Sequence, residues 1–408
     1  MIQKNFDDIS KPDIDYLIEN KIGELKTLEY KEKLPGPTDN DKKEFLADIS
    51  SFANASGGDV IYGIRAAVDE KGKKTGEPEA VVPLEDVNAD EAKLWIENLV
   101  RTGIEPRIRI HVKEIAGYNE DGKGFVILVR IPQSFASPHM VKFKNTSRFY
   151  CRNSAGKYQL DVQEIRNAFL ATSSQAERIR GFLQDRLAKI IADETPLRLS
   201  TPHRLVLHIL PLNSFLNQKR LDFSSEANLR SNLVLIAVRS RSDRYNLDGF
   251  LAYSADRNTG ICDSYCQMFF DGTIEAVYAD ILRTKAGKTP QKDDAAFIPS
   301  KAYEAVVVRA IRGYFKEYKT LGIEAPIVIS MALLGYKGAY MWTDCASGLD
   351  SHPIDRDVVV LPEVTAGSLN EEEVPSIMKP IFDAVWNACG LRHSYNYTES
   401  GTWTLREL

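Results

Sequence analysis

Apolar and polar positions alternate from Thr27 to Lys31: Leu28 and Tyr30 fall on one side, Thr27, Glu29 and Lys31 on the other. A period of two is the pattern of a half-buried strand. Upstream, Ile14, Leu17, Ile18 and Ile22 follow Lys11, Pro12 and Asp13 at helical spacing, with proline suited to the first turn and Gly23 ending the run. Downstream, Asp41 and Glu44 have the spacing of a capping box, and Phe45, Ile49 and Phe52 lie on one stripe, which predicts an amphipathic helix over 41–55. Residues 54–58, tolerant of left-handed backbone, close that helix, and 59–64 read as an apolar strand.

Further along, 66–79 are polar and predict a hairpin or loop. Asn88 with Glu91 caps a helix whose Leu94, Trp95, Leu99 and Val100 are spaced for the core. Segments 107–115 and 125–131 alternate as strands, joined by a turn around 119–122. Asp161 with Glu164 caps a helix carrying Val162, Ile165, Phe169 and Leu170; Thr172, Ser173 and Ser174 then read as a boundary. Ser174 with Glu177 would cap a second, long helix holding Ile179, Phe182, Leu183, Leu187, Ile190 and Ile191. Beyond Pro202 come strands over 204–212, 233–239, 247–253 and 265–278, a helix over 301–321, strands over 326–335 and 357–361, and a helix over 371–388. The pattern is α+β in two domains, 1–172 and 173–408.

Composition changes this picture little. With 43% hydrophobic and 27% charged residues in 408, the chain has the balance of an ordinary globular protein with ample core. No apolar run reaches the ~18 residues of a membrane span, and the acids at Asp7, Asp8 and Asp13 argue against a signal peptide, so a cytoplasmic location is expected. The net charge of −5 means that any nucleic-acid contact must come from a local basic patch. Five scattered cysteines, 151, 262, 266, 345 and 389, make no disulfide framework, and the Cys262/Cys266 pair has no second ligand pair for zinc. The histidines at 203, 208, 352 and 393 lack ligand spacing, and no Gly-x4-Gly-Lys-Ser/Thr loop supports an ATPase.

Two places carry candidate chemistry. Glu24, at the corner after the first helix, and Glu29, on the strand, would repel each other if brought close, unless a cation such as Mg²⁺ or Mn²⁺ neutralised them; the bland alternative is two surface acids flanking an edge strand. Segment 138–158 holds Lys142, Lys144, Arg148, Arg152 and Lys157 without an acid, interleaved with Phe143, Phe149, Tyr150 and Tyr158. Lys142 and Lys144 would project from one strand face, and such a face neutralises phosphates; the bland alternative is a solvated face.

Glu-x4-Glu-Tyr-Lys at 24–31, a helical segment, Phe-Ala-Asn-Ala-x-Gly-Gly at 52–58 and an apolar strand ending in Gly63-Ile64 together resemble the Schlafen/AlbA_2 superfamily, over about residues 10–172. In Schlafen nucleases these glutamates and an aspartate form a metal-dependent ribonuclease triad, so the resemblance implies that Glu24 and Glu29 are its glutamates. The family aspartate falls where this chain has Arg65-Ala66; Asp59, at the start of a strand, is preferred to Asp69, in a loop, as the third ligand.

The resulting expectation is a divalent-metal-dependent endoribonuclease acting on tRNA or other structured RNA, suited by family to phage defence. Glu24, Glu29 and Asp59 would hold Mg²⁺ or Mn²⁺, Lys31 would neutralise the scissile phosphate, and Lys142, Lys144, Arg148 and Arg152 would grip the RNA backbone. The alternatives are a non-enzymatic nucleic-acid-binding or regulatory module, and an assembly subunit whose 173–408 lobe contacts a partner protein or a second copy.

Overall fold

A computed structural model describes the chain except residues 3, 5, 73, 86, 120–123, 135, 155, 216–219, 222, 224–232, 237–241, 285, 291–293, 344–350 and 406–408. Cys345, the tip of the turn expected at 119–122 and residues 237–239 of the strand expected over 233–239 lie outside the described residues. The fold is mixed α and β, divided into two compact units, Met1–Glu177 and Arg178–Leu408. Among the described residues no helix is long and apolar enough to cross a membrane.

The first unit contains α1 (Lys11–Glu19), β1 (Leu28–Lys31), α2 (Asp39–Ala53), β2 (Gly58–Tyr62), the hairpin β3 (Ile64–Val68) and β4 (Lys74–Val81), and α3 (Ala89–Gly103). Then come β5 (Ile104–Glu105), β6 (His111–Ala116), β7 (Phe125–Ile131), β8 (Met140–Phe143), β9 (Thr146–Asn153) and β10 (Gly156–Gln159). One sheet has the order β1-β2-β7-β6, with β1 parallel to β2 and the other pairs antiparallel. A second, antiparallel sheet has the order β10-β9-β8-β5. Both faces of β2 and β7 are buried, so apart from Asp59 and Arg130 their sequences run apolar without alternation, whereas edge strand β1 alternates as its pattern predicts.

Helix α2 is capped three residues earlier than the spacing of Asp41 and Glu44 implies. Thr38 is the cap, and Asp41 is the acid that answers it from the third position. Its stripe of Phe45, Ile49 and Phe52 is buried with Ile96, Leu99 and Val100 of α3 against β2, β7 and Val141. Leu94, expected in that core, is exposed instead. On the other face of the first sheet, Ile14 and Leu17 of α1 pack with Leu28, Tyr30, Ile61 and Leu128.

The boundary expected at 172–174 is helical. α4 (Val162–Ile191) is one helix of 30 residues, capped at Asp161 through reciprocal bonds with Glu164, and it runs through the division between the units. Ser174 does not cap a second helix; its hydroxyl bonds back to the Ala171 carbonyl, and the Thr172 hydroxyl to that of Ala168. Hydroxyl residues inside a helix bond back onto its own turn in this way, which hides them from a search for caps.

The second unit is built on β11 (Arg204–Pro211), β12 (Ser242–Tyr245), β13 (Gly249–Ala255), β14 (Cys262–Phe269), β15 (Ile274–Tyr278), β17 (Ile327–Leu334), β19 (Val358–Val360) and β20 (Val364–Ala366). They form one sheet of order β12-β13-β14-β15-β11-β17-β19, with β20 also on β17. β16 (Phe297–Pro299) and β18 (Tyr340–Trp342) make a separate pair. Helices α5 (Ser300–Thr320) and α6 (Val374–Ala388) cover one face around Tyr303, Tyr314, Phe315, Phe382 and Trp386. Cys262 and Cys266 are buried in this sheet, as core residues are.

Candidate functional site

The register of β1 on β2 decides which acids meet. Glu29 stands beside Val60 and Lys31 beside Tyr62, while Leu28 stands beside Asp59. Neighbouring residues across a strand pair share a face, so Glu29 and Lys31 face α2, and Asp59 faces the α1 side with Leu28 and Tyr30.

On the α2 side the acids and bases form a closed ring. Lys31 Nζ lies 2.6 Å from Glu29 Oε1 and 3.2 Å from Asp48 Oδ2. The second oxygen of each acid takes a cation from the other sheet: Arg152 Nη1 is 2.8 Å from Glu29 Oε2, and Lys157 Nζ is 2.8 Å from Asp48 Oδ1. Arg152 and Lys157 are themselves partners across β9 and β10. The Arg152 guanidinium also lies 3.5 Å from the centre of the Phe52 ring, over its face.

Burial would raise the Glu29 carboxyl, but the Lys31 ammonium and the Arg152 guanidinium hold it below its usual value. Burial, and next the charge on Glu29, push Asp48 up against the pull of Lys31 and Lys157. Burial would lower the Lys31 ammonium, yet Asp48 and Glu29 outweigh it and raise it.

Asp59 is not part of this ring. It is fully buried (0% exposed), and its carboxylate is taken by Arg130, Nε to Oδ1 at 2.8 Å and Nη2 to Oδ2 at 3.1 Å, with the Ile2 amide donating at 2.7 Å. Arg130 also donates to the carbonyls of Ile2 and Lys4, so this pair stitches the first residues onto the sheet. Glu24 is exposed on the free edge of β1, where its Oε1 accepts the Tyr30 amide at 3.2 Å. Arg65, in the position that the resemblance gives to an aspartate, pairs at the surface with Glu32.

A divalent ion needs several oxygens converging at 2.0–2.6 Å, as is typical of Mg²⁺ and Ca²⁺. Glu24, Glu29 and Asp59 lie at the edge and on opposite faces of one sheet, and cationic side chains already engage Glu29 and Asp59. These residues do not fit a metal, and among the described residues no three or more acidic, histidine or cysteine side chains form a group that could hold one.

The basic tract is divided as well. Lys142 and Arg148 lie on opposite faces of the β8–β9 hairpin, since Lys142 pairs with Ser147 and Arg148 with Val141. Lys144 is not on the strand; it sits in the turn with φ +49°, so the expectation of two lysines on one strand face does not hold. Lys142 pairs with Glu105 at 2.8 Å and Lys144 with Asp39, three of them exposed and Asp39 half-buried, and Arg148 donates to Gln159 at 2.5 Å. Arg152, expected at the surface, is 6% exposed and spent on Glu29.

Sequence reasoning missed Asp48 and Asn54. Asp48 stands three residues after Phe45 and four before Phe52, and an acid on a buried stripe was the available signal. Asn54, in the Phe-Ala-Asn stretch, donates to the carbonyls of His139 and Tyr150 and accepts from the His139 amide, clasping β8 and β9 to the end of α2. The two glycines after it admit backbone: a Cβ on Gly57, at φ +69°, would come within 2.6 Å of the Gln133 nitrogen.

With this geometry in place, comparison shows that the family model described as Schlafen, AlbA_2 matches residues 24–161. No curated protein matches the chain. Among solved structures, the DIP2311 protein from Corynebacterium diphtheriae is 17% identical, with a TM-score of 0.22, over 33% of this chain and 22% of that one. The N-terminal domain of a protein from Nitrosomonas europaea, named as ATP-dependent DNA helicase RecG-related, is 20% identical, with a TM-score of 0.25, over 36% of this chain and 86% of that one.

Proposed function

Residues 24–161 belong to the Schlafen AlbA_2 family, which is nucleic-acid-related, and from that premise we propose that the first unit is a nucleic-acid-binding module that grips the phosphate backbone through its β8–β9 hairpin. One observation carries this reading. Lys142, Lys144 and Arg148 are exposed cations on that hairpin, held only by surface partners. An exposed ion pair is worth about 0–1 kcal/mol, so a phosphate displaces Glu105 or Asp39 at little cost. Lys42 and Lys43 act electrostatically on the same Asp39 as Lys144 and extend the positive surface to the start of α2. RNA is favoured over DNA on the family resemblance.

Hydrolysis by a metal on Glu24, Glu29 and Asp59 lacks support from the geometry. The test titrates structured RNA, single-stranded RNA and duplex DNA with the full chain at several salt concentrations, with Mn²⁺ or with EDTA. The expected result is retarded, intact nucleic acid in both, and a salt slope reduced by about 2 in the triple variant Lys142→Ala, Lys144→Ala, Arg148→Ala. An unchanged slope removes the hairpin from the interface. EDTA-sensitive cleavage, lost in Glu29→Ala, replaces binding with catalysis.

A further inference from the structure

The ring on the α2 side has a symmetry that a brace alone would not need. Each carboxylate offers one oxygen to a cation of the second sheet and turns the other to a single nitrogen, Lys31 Nζ, at 2.6 Å and 3.2 Å. Glu29 and Asp48 come from different elements, a strand and the helix above it, and both are mostly buried, with side chains 14% and 6% exposed. Two such carboxylates repel, and each raises the other's pKa, unless a positive charge stands between them. Divalent ions do this in acidic sites; here a residue of the chain does it.

We propose that Lys31 is a built-in counter-ion: it occupies the place between Glu29 and Asp48 that a divalent cation would take, so the domain needs no metal, and removing this one charge uncovers an oxygen site for Mn²⁺. Lys31 is suited to the place because β1 is an edge strand. Its side chain rises from the same face as Glu29, two residues along, and reaches the helix without crossing another strand. Lys157 also pairs with Glu44 at 2.6 Å, so three cations meet three acids and the cluster is balanced. Without Lys31 the acids are one in excess, and the Glu29 and Asp48 oxygens that faced it have no cation. The proposal does not depend on nucleic-acid binding, since its readout is metal binding to the protein alone.

The experiment measures Mn²⁺ binding by titration calorimetry, and thermal midpoints in EDTA and in Mn²⁺, for the full-length wild type, Lys31→Arg, Lys31→Met, Lys31→Gln and the double variant Lys31→Met, Asp48→Asn. Wild type and Lys31→Arg should melt at the same temperature in EDTA and Mn²⁺. Lys31→Met and Lys31→Gln should melt lower in EDTA, recover with Mn²⁺, and bind it at least about tenfold more tightly than wild type, a gain lost again in the double variant. Mn²⁺ stabilisation of wild type that disappears in Glu29→Gln would overturn the proposal. So would the absence of any Mn²⁺ response in both Lys31→Met and Lys31→Gln, whether they fold well or poorly.

Discussion

Arg152 lies in a basic, aromatic segment that reads as a surface for phosphates, yet its guanidinium lies against Phe52 and bonds Glu29. Removing one partner of a buried ion pair leaves the other uncompensated, at a cost of about 3–5 kcal/mol. Arg152→Ala should therefore lower stability by about that amount in urea unfolding, while the double variant Arg152→Met, Glu29→Gln should recover much of it. A loss below about 1 kcal/mol in the single variant would mean that Arg152 is solvated and free for a ligand. At the same scale, Asp59 shows how a sound argument about one residue can reach the wrong partner. A carboxylate held on rigid backbone does need a positive companion, and Arg130 is that companion where a metal was expected.

Elements show a different division between local and distant causes. Both capping pairs at Asn88 and Asp161 are where their spacing places them, because a cap is a bond between residues three apart. The pair at Ser174 and Glu177 has the same spacing and no cap, because α4 continues through it. Asp161→Ala should accordingly cost about 1 kcal/mol, whereas Ser174→Ala should change stability by no more than about 0.5 kcal/mol, or raise it, alanine being the better helix former. Equal losses in the two variants, measured by chemical denaturation, would restore the break at 172–174. The α2 stripe was legible from its period, but its role was not: Phe52 lies under Arg152 and Asn54 ties down β8 and β9, residues some 85–100 positions away.

Across the whole molecule buried acids are met in two ways. In the first, cations meet them: so it is for Glu29, Asp48 and Asp59 of one unit and for Glu275 of the other, which Arg186 holds at 2.8 Å. In the second, Glu304 on α5 is fully buried and met by neutral donors: Ser394 Oγ at 2.7 Å, Trp386 Nε1 at 2.9 Å, Tyr303 Oη at 3.2 Å and Trp403 Nε1 at 3.3 Å. Burial raises its carboxyl above the usual value, more than these donors lower it. A raised carboxyl favours the neutral form in the fold, so its contribution is complete below the unfolded value near 4.5 and is lost as the pH rises through the folded value. Glu304→Gln should flatten that part of the stability profile and be at least as stable as wild type at neutral pH. Glu304→Ala, which leaves buried donors unmet, should lose about 1–3 kcal/mol or more at every pH. A Glu304→Gln profile as steep as that of wild type, in melts monitored by tryptophan fluorescence, would assign the pH dependence elsewhere.

What the sequence determined by itself is whatever rests on short-range spacing. The alternation that makes β1 an edge strand, the helical stripes of α2 and α3, the caps at Asn88 and Asp161, the α+β class and the Schlafen AlbA_2 resemblance all depend on residues within a few positions of one another. What only the tertiary structure decided is sidedness and company. Side chains in a strand alternate, so a register one residue different would exchange every residue between the two faces. Whether Asp59 joins Glu29 or turns its back on it is therefore fixed by the pairing of β1 with β2 and by nothing local to either acid. The cations that neutralise Glu29 and Asp48 come partly from β9 and β10, more than 100 residues away, because charge is balanced by whichever group folding brings within a few ångströms. Spacing along the chain does not encode that distance.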